Sequence, residues 1–157
     1  MKIKIISVGH KTPSWISRGE QEFLKRFNQK YSISLEEIKP AYREGESSEN
    51  AKARSIEKDR ILSRRTKSSH MIALDEQGQN YTSQQLAHMI SGYTDSSQNL
   101  DFIIGGTDGL DAEIKECAAI VLSLSYLTFP HSLARLLLIE QLYRAQCIIS
   151  NHPYHRD

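Results

Sequence analysis

Three short segments and a tail concentrate the residues able to do chemistry. The segments are Leu74-Asp75-Glu76-Gln77-Gly78, Ile104-Gly105-Gly106-Thr107-Asp108-Gly109-Leu110 and Leu124-Ser125-Tyr126-Leu127-Thr128-Phe129-Pro130-His131. Each follows an apolar run that reads as a strand. The second holds three glycines in five residues, which allows positive φ and close approach of backbone to a ligand. It is neither GxGxxG nor a Walker loop, because no Gly-Lys-Ser/Thr follows, so nucleoside triphosphate chemistry loses support. Taken alone, a tight turn before a helix explains it equally well.

The tail, Ser150-Asn151-His152-Pro153-Tyr154-His155-Arg156-Asp157, is short, polar and aromatic. Such ends usually fray and need no function. This one nevertheless gathers two imidazoles, a phenol and a guanidinium, which together can stack on a base, exchange a proton and neutralise developing negative charge. His152 and His155 flank a proline, off any regular helix face, and the chain has no familiar spaced ligand set, so a metal is not expected. His131 opens an apolar helix and reads as a capping or core histidine. Glu140 and Arg144, four apart, read as a helix-surface pair.

The elements that must position these residues alternate. Residues 2–8 read as a strand ended by Gly9, Pro13 to Gln29 as a helix with Trp15, Ile16, Phe23, Leu24 and Phe27 at helical spacing, and Tyr31 to Ile38 as a second strand. Residues 41–48 read as a polar loop and Glu49 to Thr66 as a long exposed helix capped by Ser47 or Ser48. Its Arg60 and Arg64, with Lys67, form a candidate phosphate-binding stripe or a plain solvated face. Strands follow at His70–Leu74, Leu100–Ile104 and Val121–Ser125, and helices at Gln84–Tyr93 behind Thr82 or Ser83, Asp111–Ala119 and Ser132–Ala145. This alternation predicts an α/β fold with a mainly parallel sheet and helices on both faces, whose ligands bind beyond the carboxyl ends of strands.

Composition narrows the class. The 157 residues suit one domain, with 39% hydrophobic and 25% charged side chains. No apolar run approaches a membrane span and the N-terminus lacks a signal-peptide core, so a soluble cytoplasmic protein is expected. Cys117 and Cys147 fall in stretches that read as buried, as free thiols. The net charge of +1 conceals a polarity: residues 1–67 hold 16 Lys and Arg against 9 Asp and Glu, and residues 68–157 hold 4 against 10. A basic half of this kind points to nucleic acid.

Four ordered motifs resemble a known family. They are Ile103-Ile104-Gly105-Gly106-x-x-Gly109-Leu110, Leu122-Ser123-Leu124-Ser125-x-Leu127-Thr128-x-Pro130-His131, Glu140-Gln141-Leu142-Tyr143-Arg144-Ala145 and Asn151-His152-Pro153-Tyr154-His155-Arg156. With the opening Val8-Gly9-x-Lys11-x-Pro13-x-Trp15, they make the whole chain similar to the ribosomal RNA large-subunit methyltransferase H family of the SPOUT class. The resemblance implies an α/β fold with a C-terminal trefoil knot, a homodimer, and methyl transfer from S-adenosylmethionine to N3 of a pseudouridine in the helix 69 stem-loop of large-subunit (23S) ribosomal RNA, free or in the assembled ribosome. It implies that Leu74, Gly105, Leu124, Ser125, Tyr126, Leu127, Thr128 and Phe129 hold the cofactor, with no metal and no membrane. Tyr154, His155 and Arg156 then become the catalytic candidates: Arg156 for the developing negative charge, and Tyr154 or His155 for base contact or proton relay. The apolar helix after His131 would bury its remaining sides against a second subunit.

The chain departs from the family pattern at Thr107-Asp108, where proline or alanine followed by glutamate is commoner, and at Phe129 and Ser132, which replace aliphatic and proline choices. Alternatives are a SPOUT methyltransferase acting on another RNA such as tRNA, a non-catalytic ribosome-associated binding protein and, more remotely, a metal-dependent hydrolase.

Overall fold

The computed structural model describes residues 1–43 and 47–155, and the side chains of all of these except 47–49 and 155. The chain runs β1 (Lys2–Val8), α1 (Ser14–Leu24), β2 (Ser32–Ile38), α2 (Ser47–Arg64), β3 (Ser69–Asn80), α3 (Ser83–Asp95), β4 (Asn99–Ile104), α4 (Ala112–Cys117), β5 (Ile120–Ser123) and α5 (His131–Ile149), then a 3-10 turn over Pro153–His155. The five strands are all parallel, in the order β2-β1-β4-β3-β5.

Alternation along the strands dictates two layers of helix. Ile3, Ile5, Ile72, Leu100, Phe102 and Ile104 face a cluster built by Leu86, Ala87 and Ile90 of α3 and Leu138, Ile139 and Leu142 of α5, with Phe23 and Leu24 of α1 packed against it. Their neighbours Ile6, Val8, Met71, Ala73 and Ile103 face the opposite way, onto Ile61 of α2 and Ile114 of α4. A sheet buried on both faces is what parallel strands require. The expected α/β class is therefore found.

Boundaries differ where polar residues do unexpected work. The strand expected to stop at Leu74 runs to Asn80, because Gln79 and Asn80 pair with Leu122 and Ser123 of β5 after a register shift. A β-carbon on Gly78 would come within 2.7–2.8 Å of the Val121 and Leu122 backbone, so only glycine lets the chain pass there. The first helix ends at Leu24, five residues before Gln29, and the Gln146 side chain accepts the Asn28 N–H just beyond it. Trp15 points outward, 58% exposed, although its spacing placed it with the apolar face. Cys147 is buried, but Cys117 is exposed at the end of the six-residue α4, contrary to the expectation of two buried thiols.

Of the expected 41–48 loop, residues 44–46 lie outside the described residues and 47–48 already belong to α2; the proposed Ser47 or Ser48 cap concerns side chains outside them too. Arg60 donates to the Lys39 carbonyl at 2.7 Å and Arg64 pairs with Glu36 at 3.1 Å, while Lys67 lies past the helix end. The basic stripe thus ties α2 to the β2 side of the sheet. Thr82 caps α3 through a reciprocal capping box with Gln85, as its position predicted. Among the described residues, no helix is long and apolar enough to cross a membrane.

Candidate active site

The connection from β3 leads to β4 on one side, and the connection from β4 crosses back to β5 on the other, so the chain reverses across the end of β3. Parallel sheets open a crevice at such a reversal. Here it is a cavity of about 840 Å³ lined by all three segments: residues 74–77, 104–110 and 122–131, apart from Tyr126, joined by Lys115 and Ala134. Seven of the eight residues expected around a cofactor, Leu74, Gly105, Leu124, Ser125, Leu127, Thr128 and Phe129, line it. Tyr126 does not; its side chain is 90% exposed.

The glycine turn is shaped by its own backbone. A β-carbon at Gly105 would sit 2.7 Å from the Gly109 carbonyl carbon and 3.0 Å from the Leu110 nitrogen. Gly109 has φ +75°, and its N–H closes the turn on the Gly106 carbonyl at 3.0 Å. Any side chain at Gly105 forces this turn open. The 123–128 loop is braced by the Ser123 hydroxyl, which donates to the Ser125 carbonyl, and by the Ser125 hydroxyl, which accepts the Leu127 N–H. Thr128 donates to Glu76 at 3.1 Å, joining the loop to β3.

Asp108, one of the departures noted in the sequence, has a clear partner. Arg43 donates to it from Nε at 2.5 Å, and the same guanidinium reaches Glu57 and the Ala41 carbonyl. Glu57, buried on α2, accepts the Ala41 N–H. Asp108 and Glu57 hold the Arg43 guanidinium above its ordinary pKa, outweighing burial. The segment after β2 is thereby clamped onto the glycine turn.

His131 begins α5 after Pro130 with no side-chain cap, so the capping role is not seen. It is half-buried, and its ring lies 3.1 Å from where a β-carbon on Gly9 would be, between the cavity and a small cleft formed with Ser7, Thr12, Glu37 and Arg135.

That cleft contains a group the sequence did not announce. Arg135 of α5 is 4% exposed, and all five of its N–H donors are used: two on Glu20, and one each on Ser7, Glu37 and Thr12. It joins α5 to α1, β1, β2 and the segment between β1 and α1. Burial works against the charge, but the Glu20 and Glu37 carboxylates raise its pKa all the same.

At the other end of α5, the Tyr154 hydroxyl donates to Glu140 at 3.0 Å, its ring meets Tyr143 edge-on, and Arg144 sits over it at 4.9 Å. Glu140 also accepts from Arg144, and from Gln141, which in turn accepts from Ser83. The pair read as helix-surface decoration therefore anchors the tail. Burial and the Glu140 carboxylate push the Tyr154 phenol above its ordinary pKa, keeping it protonated. Arg156 and the His155 side chain lie outside the described residues. Tyr154 thus lies back along α5 beside Glu140, Tyr143 and Arg144, while the cavity takes His131 and Ala134 from the start of the same helix.

A family model described as predicted SPOUT methyltransferase matches residues 1–155. The chain belongs to the SPOUT methyltransferase family. Membership implies the C-terminal trefoil knot of the class, which strand order alone does not display. Ribosomal RNA large subunit methyltransferase H of Burkholderia cenocepacia is 45% identical over 157 residues, covering 99% of both chains. The proteins of the same name from Burkholderia ambifaria and Burkholderia thailandensis are 44% and 42% identical over 156 residues, again with 99% coverage of both.

The cavity of this SPOUT methyltransferase fits S-adenosylmethionine, the methyl donor the class generally uses. Its volume falls within the range of small-molecule sites, Leu74, Ile104 and Leu122 supply apolar surface, and Gly105, Gly106 and Gly109 leave backbone accessible in the wall. Among the described residues, no three His, Cys, Asp or Glu side chains are grouped to hold a metal ion.

Proposed function

We propose that the protein is a homodimeric enzyme that methylates N3 of a pseudouridine in the helix 69 stem-loop of large-subunit ribosomal RNA, acting on ribosomes in the cytoplasm. The convergence of the three strand-end segments on one cavity, in a chain so similar to large-subunit methyltransferases, is the observation that carries this reading. Bound in the cavity, S-adenosylmethionine supplies an electrophilic methyl group. Leu74, the Gly105 turn, Leu124, Ser125 and residues 127–129 would hold it.

The nitrogen to be methylated lies between two carbonyls and carries a proton, so it becomes nucleophilic as that proton leaves. Arg156 stabilises the negative charge that then spreads over the base. Tyr154, protonated and fixed on Glu140, suits contact with the base better than proton removal, which leaves His155 as the relay. In this reading the RNA lies across both chains of the dimer, and each cavity takes its tail from the partner subunit. Half-buried Leu133, Leu136 and Leu137 of α5 and exposed Trp15, Tyr126 and Leu127 supply apolar surface for that association.

Mass spectrometry of ribosomal RNA from cells with and without the gene tests the reaction. We expect one N3-methylated pseudouridine to disappear from the large-subunit RNA and to return when purified protein and donor are added to ribosomes. Loss of a methyl group from tRNA instead, with ribosomal RNA unchanged, would transfer the activity to another substrate.

A further inference from the structure

The cavity wall contains one contact between opposite charges for which the glycine turn and the 124–129 loop have no use. Lys115 Nζ of α4 lies 3.1 Å from Asp75 Oδ2, at the register shift within β3. The other Asp75 oxygen accepts the Gln77 N–H at 2.9 Å, which fixes the direction of the carboxylate. The Asp75 side chain is 13% exposed and that of Lys115 35%. An ammonium carries three donors and this contact uses one. The other acids among the described wall residues are engaged elsewhere, Glu76 by Thr128 and Asp108 by Arg43, and Lys115 is the only lysine or arginine among them.

A methyl donor of the S-adenosyl class ends in an amino acid, carrying one ammonium and one carboxylate. Taking that zwitterion out of water requires charged partners on the protein. We propose that the Asp75–Lys115 pair recognises the amino-acid end of the donor, Lys115 binding its carboxylate and Asp75 its ammonium. The inference rests on the cavity being the donor site, and adds the side chains that tell a complete donor from a bare thioadenosine.

Two neutral thioethers separate these contributions: S-adenosylhomocysteine, which has the amino-acid end, and 5′-methylthioadenosine, which lacks it. Titration calorimetry of both with wild type, Lys115→Met and Lys115→Arg is the test. Loss of a charge-assisted hydrogen bond should weaken S-adenosylhomocysteine at least about tenfold in Lys115→Met. Binding of 5′-methylthioadenosine to that variant stays within about twofold of wild type, which also shows the pocket intact, and Lys115→Arg regains most of the lost affinity. Unchanged S-adenosylhomocysteine affinity in Lys115→Met, or equal weakening of both compounds, would overturn the inference while leaving the donor site standing. A wild-type protein that binds neither compound would remove the donor site and the inference with it.

Discussion

Replacing Arg156 with alanine is expected to lower turnover by about 10²–10³-fold while donor affinity stays within about twofold, because a charge-stabilising donor acts on the transition state and not on the bound cofactor. Among the described residues none of the tail lines the cavity, so losing the guanidinium is expected to leave the Gly105 turn and the 124–129 loop undisturbed. Glu140 holds Tyr154, two residues before Arg156 in the sequence, and Arg144 covers the same ring, so the proposed catalytic tail starts from a fixed anchor. Single-turnover kinetics on ribosomes, with calorimetric donor titration alongside, measures both quantities. Equal turnover in variant and wild type would reject the role.

Arg135→Ala should be the most destabilising of the single substitutions considered, by about 3–5 kcal/mol, since it strands the Glu20 carboxylate without the cation that accompanies its burial. Glu20 is 3% exposed and makes two bonds to the guanidinium. Denaturant unfolding at neutral pH measures the loss as a fall in midpoint at unchanged slope; a loss under about 1 kcal/mol would contradict the assignment. The network also has a pH signature. Burial raises the Glu37 pKa, but hydrogen bonds from Arg135 and Thr12 lower it further than burial raises it, and the net shift is downward. A lowered carboxylate pKa contributes stability that is present above the unfolded value of about 4.3 and lost as pH falls through the folded value. In Arg135→Ala this part of the acid sensitivity should shrink.

The parallel sheet was readable because its strands are short apolar runs bounded by Gly, Pro and polar turns, and the cavity because three of those runs end in segments with loop chemistry. The extension of β3 to Asn80 was not readable, since Glu76-Gln77-Gly78-Gln79-Asn80 contains no apolar residue and pairs through backbone after a register shift. Arg135 escaped notice for a different reason. It sits in an apolar helix, and its partners Ser7, Thr12, Glu20 and Glu37 are 98 to 128 residues away in the chain, so no local pattern brings them together. Asp108 looked like a shortened copy of a family glutamate until Arg43 was found against it. The helix α5 continues to Ile149, past the expected end at Ala145, because Gln146 and Cys147 are buried and prolong its inner face.

Mixing two variants tests the proposed sharing of a site between subunits most directly. Gly105→Ala cannot form the donor turn and Arg156→Ala lacks the charge at the tail, so each homodimer is expected to be nearly inert. After subunit exchange, a mixed dimer unites one intact cavity with one intact tail, and with half of the dimers mixed the activity should return to about a quarter of wild type per chain. A mixture that exchanges subunits and stays as inactive as its components would contradict the account.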